Sequence, residues 1–239
     1  MDEFLYLHLG YNKILSEKDC FDRMFLVKKL ILEIINFLEK NLKTASEIEL
    51  LKKIKDVPLK EDNFVNQLPI FPPKERALSD AISSINSYEL LGIKESLAKV
   101  IGDLRWNIDN GDFYDKSSEI GDSYLLGNMN SELIGPKLGA FRSKELRLGL
   151  FLLEENIFYK DHKHKAPELY LNLTNGTQWR FAEMVWQNKR AGSIVLNKPF
   201  DVHAMKVGSC PFLSIWCWPT NSNEKCILVP KTDWKKFDE

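Results

Sequence analysis

The sequence has little cysteine and little histidine, and its charges almost cancel. Its four cysteines form no CxxC pair and are too sparse for a disulfide framework in 239 residues, so we expect reduced thiols. Lysine and arginine number 33 against 34 acidic residues, so no global basic excess points to nucleic acid or to an anionic membrane. The 44% hydrophobic and 28% charged residues are typical of a globular protein and exclude a disordered one.

Long apolar segments are also missing. The most apolar stretch near the N-terminus, Met24 to Leu38, is too short for a membrane span and contains three charged residues. The first 20 residues lack the apolar region and the cleavage site of a secretory signal. We therefore predict a cytoplasmic protein that has neither a membrane nor a nucleic acid as its partner.

The first hundred residues have a helical pattern. From Phe21 to Leu42 apolar residues recur with the 3.6-residue period of an amphipathic helix. Ser46 and Glu49 have capping-box spacing before a second helix over 48–54. A proline-rich break at 68–73 precedes two further helical stretches, at 75–86 and 88–103.

After about residue 105 the pattern changes to short strands. The dipeptide Asn175-Gly176 predicts a tight turn and a hairpin between its flanking strands. No helix-length pattern separates the strands, so an antiparallel sandwich or barrel is favoured over a parallel sheet. We predict an α-helical N-terminal region over 1–108, which caps the barrel or forms a homodimer interface, and a β-barrel domain over 109–239. The predicted strands are Leu146 to Leu153, Glu168 to Leu173, Thr177 to Phe181, Ser193 to Leu196, Val202 to Val207 and Phe212 to Trp218.

The few histidines are unevenly placed along the chain. His8 is isolated, and we expect it to be structural or exposed. Three others lie in the β region, and two of these, His162 and His164, are separated by one residue. On an extended chain these two share a face with Glu168 and Tyr170, because residues of equal parity point the same way.

This set of side chains suits a divalent transition metal. His162, His164 and Glu168 supply two imidazoles and a carboxylate, and His203 on a later strand supplies a third imidazole. Such a set leaves one or two coordination positions open, which is typical of a catalytic metal. Zinc, iron, manganese, cobalt and nickel all accept these ligands, so the sequence does not choose among them.

These segments resemble the cupin superfamily. The HxH pair followed by Glu168 and Gly176 is similar to the first cupin motif. Gly192, Pro199 and His203 resemble the second, although Asp201 stands where a glycine is usual. The resemblance implies a mainly β fold, in which a C-terminal cupin barrel (a double-stranded β-helix or jelly roll) follows the helical region.

Within the cupins, residues 130 to 220 resemble the dimethylsulfoniopropionate (DMSP) lyases. The discriminating features are the Glu-x-Tyr pair at Glu168 and Tyr170 and a tyrosine, Tyr159, three residues before the first histidine. The resemblance implies a carbon–sulfur lyase that cleaves DMSP, a small sulfonium carboxylate, to dimethyl sulfide and acrylate. It also implies that Tyr170 is the general base and that Tyr159 lies close to the substrate. One departure is Lys165, where members often have proline.

Two other functions agree with the same ligands. One is another cupin metalloenzyme, such as a non-haem iron dioxygenase or an isomerase, and the other is a non-catalytic ligand-binding cupin. Tyr170 favours the lyase, because oxygen chemistry does not need a phenol base beside the ligands. The lyase is therefore our leading hypothesis.

Overall fold

The computed structural model describes residues 17–237, with side chains from residue 20 onward. His8 lies outside the described residues. Within them, the helical region is confirmed, and no helix is long and apolar enough to cross a membrane. The α-helices are α1 (Glu17–Asn41), α2 (Ala45–Lys55), α3 (Glu75–Ser84), α4 (Leu91–Val100) and α5 (Asp122–Gly127).

The helix α1 follows the predicted amphipathic pattern. Val27, Ile31, Ile34 and Leu38 recur along one face and are fully buried, as expected of a helix that packs inside a bundle. This face contacts α4 and α2. The helices α3 and α4 begin and end close to the predicted stretches, with short 3-10 turns on either side of α4.

The predicted cap of α2 is wrong by two residues. Thr44, in extended backbone, is the N-cap, and its hydroxyl accepts from the Glu47 amide at 3.4 Å. Glu47 Oε2 accepts from the Thr44 amide at 2.7 Å and completes the capping box. The spacing between Ser46 and Glu49 is the same, but both residues already lie inside the helix.

Eleven strands follow within the described part of the chain, and all six predicted strands are among them. Thr177–Phe181 and Phe212–Trp218 have the predicted bounds, and the other four differ by one residue at one or both ends. The strands are β1 (Asn128–Gly135), β2 (Phe141–Arg142), β3 (Arg147–Leu153), β4 (Phe158–Lys163), β5 (Glu168–Asn172), β6 (Thr177–Phe181), β7 (Gln187–Lys189), β8 (Ile194–Asn197), β9 (His203–Val207), β10 (Phe212–Trp218) and β11 (Ile227–Leu228).

The strands form two sheets. The six-stranded sheet has the order β2-β1-β3-β10-β5-β8, and the five-stranded sheet has the order β11-β4-β9-β6-β7. All pairs are antiparallel except β1 with β2. The predicted hairpin is wrong, because β5 and β6 belong to different sheets. The turn itself is present: Gly176 has a positive φ of 89° and lies where the chain crosses between the sheets.

Strand β10 separates two hydrophobic cores. Its odd-numbered residues Leu213, Ile215 and Cys217 face the helices, with which they share one cluster. Its even-numbered residues Trp216 and Trp218 face the barrel interior, where a second cluster is rich in aromatic residues. The helical region thus covers the outer face of the six-stranded sheet, and the interior between the sheets contains the predicted site residues.

Candidate metal centre and cavity

Three histidines converge inside the barrel. His162 lies on β4, His164 follows that strand, and His203 begins β9 directly opposite His162 in the antiparallel register. At most 2% of each residue is exposed. One ring nitrogen from each comes within 4.8 Å of the others, a group that can hold a metal ion.

Backbone carbonyls orient all three rings. The Nδ1 atoms of His162, His164 and His203 lie 2.7, 2.7 and 3.0 Å from the carbonyl oxygens of residues 160, 166 and 201. A carbonyl can only accept, so each Nδ1 donates its proton to a carbonyl and each Nε2 is left facing the cluster. This hydrogen bonding is typical of metal-ligating histidines.

Glu168 completes the cluster from the other sheet. Its Oε2 lies 3.2 Å from Nε2 of both His164 and His203. Trp218 Nε1 donates to Glu168 Oε1 at 2.8 Å, and Asn197 Nδ2 donates to Oε2 at 3.1 Å. The carboxylate is 3% exposed and is held by donors from two neighbouring strands.

The continuous extended segment that we expected is not observed. β4 ends at Lys163, a turn follows, and β5 begins at Glu168 in the opposite sheet. The histidines and the carboxylate therefore meet across the barrel, not along one strand. Pro167 lies in that turn, where its missing N–H removes no strand hydrogen bond.

The pKa shifts of His162 and Glu168 suit a metal, whereas the shift of His164 opposes one. Burial, and then the neighbouring imidazoles, hold the pKa of His162 well below its usual range. Burial opposes ionisation of Glu168, but the histidines beside it outweigh burial and hold its pKa well below its usual range. Burial alone would lower the pKa of His164, yet Glu168 raises it overall. An ionised carboxylate and uncharged imidazoles are the forms that bind metals.

The residues present fit a divalent transition metal. His203 Nε2 is buried and lies 3.2 Å from Glu168 Oε2, but it forms no hydrogen bond in the described structure. An unpartnered buried nitrogen is costly unless a ligand satisfies it. Three imidazole nitrogens and one carboxylate oxygen form a donor set that zinc, iron, manganese, cobalt and nickel accept.

Tyr170 projects into the interior two residues after Glu168. Its residue is 4% exposed, and its ring packs edge-on against Trp179 at 5.1 Å. Burial, and then the negative charge of Glu168, raise the pKa of the Tyr170 phenol well above its usual value. In the protein without a metal, this tyrosine is therefore a protonated phenol.

Tyr159 reaches the same interior because of a register shift. Tyr159 pairs with Met205, and His162 pairs with His203. The two pairs are three residues apart on β4 but only two apart on β9. The bulge lets Tyr159 and His162 both face inward, and their rings lie 4.2 Å apart. The Tyr114 hydroxyl donates to the Tyr159 oxygen at 2.8 Å.

A small cavity of about 40 Å³ opens beside these tyrosines. Tyr124 stacks on Tyr159 with ring centres 4.4 Å apart and planes inclined by 12°. Tyr124 also donates to the buried carboxylate of Asp109 at 2.9 Å. The cavity is lined by Asp109, Phe113, Tyr124, Asn130, Phe151, Tyr159, Tyr170, Trp216 and Cys226.

The sequence did not reveal several of these residues. Asp109 and Tyr114 come from the irregular segment between α4 and α5, and Tyr124 lies on α5, a helix too short to show a periodic pattern. Two tryptophans do more than pack the barrel, since Trp218 donates to Glu168 and Trp216 lines the cavity. The high aromatic content of 105–127 was the one available signal.

The sequence predicts that the lysines at 160, 163, 165 and 189 form a solvated rim, and the structure agrees only in part. Lys165 is exposed, and Lys163 and Lys189 are partly so. Lys160 is 8% exposed, because its ammonium donates to the Glu119 carbonyl and lies 5.1 Å from the Trp234 ring centre. The loop before α5 and the C-terminal segment cover this lysine.

Three imidazoles and a carboxylate between the two sheets of a jelly-roll barrel are the arrangement of a cupin. The family model described as dimethylsulfoniopropionate lyase matches residues 42–214. This chain therefore belongs to the DMSP lyase family.

Solved structures agree with this fold. A chain described in "Crystal structures of DMSP lyases RdDddP and RnDddQII" is 16% identical, with a TM-score of 0.66 over 87% of this chain and 100% of that one. The DMSP lyase DddQ from Ruegeria pomeroyi DSS-3 is 17% identical, with a TM-score of 0.64 over 85% of this chain and 96% of that one. No curated protein sequence matches significantly. At this identity the likeness shows the fold alone.

Proposed function

We propose that the protein is a metal-dependent lyase that cleaves DMSP by β-elimination to dimethyl sulfide and acrylate. The observation that carries the proposal is the position of Tyr170. It lies two residues from Glu168 on β5 and lines the cavity beside the histidine cluster. We assign the metal to His162, His164, Glu168 and His203.

The reaction needs a base and little else from the protein. Tyr170 takes the proton from the carbon next to the substrate carboxylate, and the C–H electron pair becomes the carbon–carbon double bond of acrylate. The bond from the β-carbon to sulfur breaks, and its electron pair leaves with sulfur as neutral dimethyl sulfide. A neutral leaving group needs no acid, which agrees with an interior whose three histidines are all committed to one cluster.

Tyr170 is a poor base by itself. Its pKa is already about 10 in water, and burial together with Glu168 raises it further. When bound, a divalent cation would supply the positive charge that lowers this pKa and stabilises the substrate carboxylate as the proton leaves. The proposed activity is therefore strictly metal-dependent.

Tyr159 has a different role in the proposal. Its hydroxyl accepts from Tyr114, and its ring is held between Tyr124 and His162. These contacts fix its position, so we assign it to substrate contact and not to proton abstraction. Its replacement by phenylalanine raises KM more than it lowers kcat if this assignment is correct.

The test is release of dimethyl sulfide by the Tyr170→Phe variant. The metal-loaded variant should lose at least about a hundredfold in kcat, the lower end of general-base contributions, and keep its metal content. Tyr88→Phe is the matched control, because Tyr88 is 88% exposed. Undiminished turnover by Tyr170→Phe would contradict its role as base. Oxygen uptake measured in parallel tests the dioxygenase alternative.

Cytoplasmic location and a dimer formed through the helical region remain predictions. Size-exclusion chromatography with light scattering would test the dimer.

A further inference from the structure

Asp109 is a buried carboxylate that forms no ion pair with any cation in the described residues. The residue is 4% exposed. Its Oδ1 accepts from the amides of Gly111 and Asp112 at 3.0 and 2.8 Å, and its Oδ2 accepts from the Tyr124 hydroxyl at 2.9 Å. Among the salt bridges of residues 20–237, none includes Asp109. Burial raises the pKa of Asp109, although these hydrogen bonds oppose the rise.

The energetics of this carboxylate point to a missing cation. A buried carboxylate is costly unless it is both hydrogen-bonded and paired with a positive charge. Three donors supply the hydrogen bonds, and all three favour the ionised form. The pairing charge is not supplied by the described part of the protein. Asp109 lines the cavity, so a ligand in the cavity can supply it.

The surroundings of Asp109 suit a soft organic cation. Phe113, Tyr124, Phe151, Tyr159 and Trp216 also line the cavity. Aromatic faces attract quaternary ammonium and similar onium groups, and this attraction grows when water is excluded. A small cavity lined largely by aromatic rings therefore favours such a group over a strongly hydrated cation such as an ammonium ion.

Asp109 lies toward the opposite end of the cavity from the histidines. Tyr124 bonds to Asp109 and stacks on Tyr159, and the Tyr159 ring contacts His162. Two aromatic rings thus separate a negative group from the candidate metal ligands. A short zwitterion lying along these rings would direct its carboxylate to the metal end and its onium group to Asp109.

We infer that Asp109 is the specificity residue that pairs with the cationic end of the substrate. The inference rests on the proposed function, because it takes the substrate to be a small onium carboxylate. It adds that the charge of the onium group, and not only its shape, determines binding. An uncharged molecule of the same shape would leave Asp109 unpaired.

Two ligands of the same shape distinguish the contribution of the onium charge to binding from the contribution of shape. The first is trimethylammoniopropionate, the quaternary-ammonium counterpart of DMSP. The second, the uncharged ligand, is its carbon counterpart: an uncharged tert-butyl group replaces the trimethylammonium group, and the carboxylate is kept. Their dissociation constants would be measured by calorimetry with the metal-loaded, full-length protein. We expect the wild type to prefer the charged ligand by about tenfold or more, since a nearby unit charge in a partly buried site contributes at least that much.

The variant Asp109→Asn should lose this preference and bind the uncharged ligand as tightly as the wild type does. Asparagine keeps an oxygen that accepts from the amides of Gly111 and Asp112. If Asp109 served only to hold that turn, the variant would therefore keep the wild-type preference. Asp112→Asn, at the exposed neighbouring carboxylate, should keep the wild-type preference. If Asp109→Asn does not fold, Asp109→Ser offers the same comparison.

Two results would overturn the inference: no preference in the wild type, or an equal preference in the Asp109 variant. Neither depends on turnover. A protein that prefers the charged ligand but releases no dimethyl sulfide would refute the lyase and leave the role of Asp109 intact. Turnover of DMSP without any charge preference would support the lyase and refute the role of Asp109.

Discussion

Replacing Trp218 with phenylalanine removes a single hydrogen bond to the candidate metal centre. The indole Nε1 donates to Glu168 Oε1 at 2.8 Å, and both residues are 3% exposed. No water can readily replace the lost donor at that depth. Phenylalanine keeps an aromatic ring in the position that faces His164, so the packing change is smaller than with alanine.

The size of the effect follows from the position of Trp218 behind a metal ligand. Loss of such an orienting partner typically weakens metal binding by about 10- to 100-fold. This range corresponds to about 1.4–2.8 kcal/mol, which agrees with the cost of a lost hydrogen bond to a charged group. We expect the Trp218→Phe protein to bind zinc more weakly by that factor.

The assay is competition for zinc against a chromophoric chelator. Trp186→Phe is the control, because Trp186 packs against Phe158 and Phe237, away from the metal cluster. Thermal unfolding of both metal-free variants shows whether either has lost its fold. An unchanged zinc dissociation constant in folded Trp218→Phe would refute the role of the indole in holding Glu168.

Three further predictions concern stability and pH. Gly149→Ala should destabilise the protein by about 1–3 kcal/mol in denaturant unfolding, because a Cβ would come within 2.4 Å of a backbone oxygen on β1; Gly102→Ala, in open space, should not. Thr44→Ala should cost about 1 kcal/mol by loss of the cap, whereas Ser46→Ala should be nearly neutral. Burial raises the pKa of the four tyrosines around the cavity, so they remain protonated in the folded protein where unfolded tyrosines ionise. Metal-free protein should therefore lose stability as the pH rises above about 10, and a constant melting temperature there would contradict this.

Local patterns were sufficient for much of the fold. Helix α1 repeats apolar residues at the helical period, and strand β10 is apolar almost throughout, so both could be predicted from the sequence. Strand β4 could not, because its sequence, FYKDHK, is strongly polar. Asp161 is fully buried on that strand because Arg180 of β6 pairs with it. A partner nineteen residues away leaves no local trace in the sequence.

The candidate site, like the fold, could be predicted from the sequence only in part. The motif named the histidines and the glutamate that meet inside the barrel, but its parity argument assumed one strand where the structure has two strands in different sheets. The hydrogen bonds from Trp218 and Asn197 to Glu168 depend on strand pairing that the sequence does not specify. Asp109 enters the cavity from an irregular segment and Tyr124 from the six-residue helix α5, so no periodicity indicates which of these side chains face inward.

The most direct test of the proposed function is headspace dimethyl sulfide from wild-type protein given DMSP, with the metal removed and then restored. The proposed chemistry predicts no release from the metal-free protein, and rapid release once a divalent transition metal is added. Release that is equally fast without a metal would contradict the metal-dependent mechanism. No release from protein with a fully loaded metal site would contradict the lyase itself.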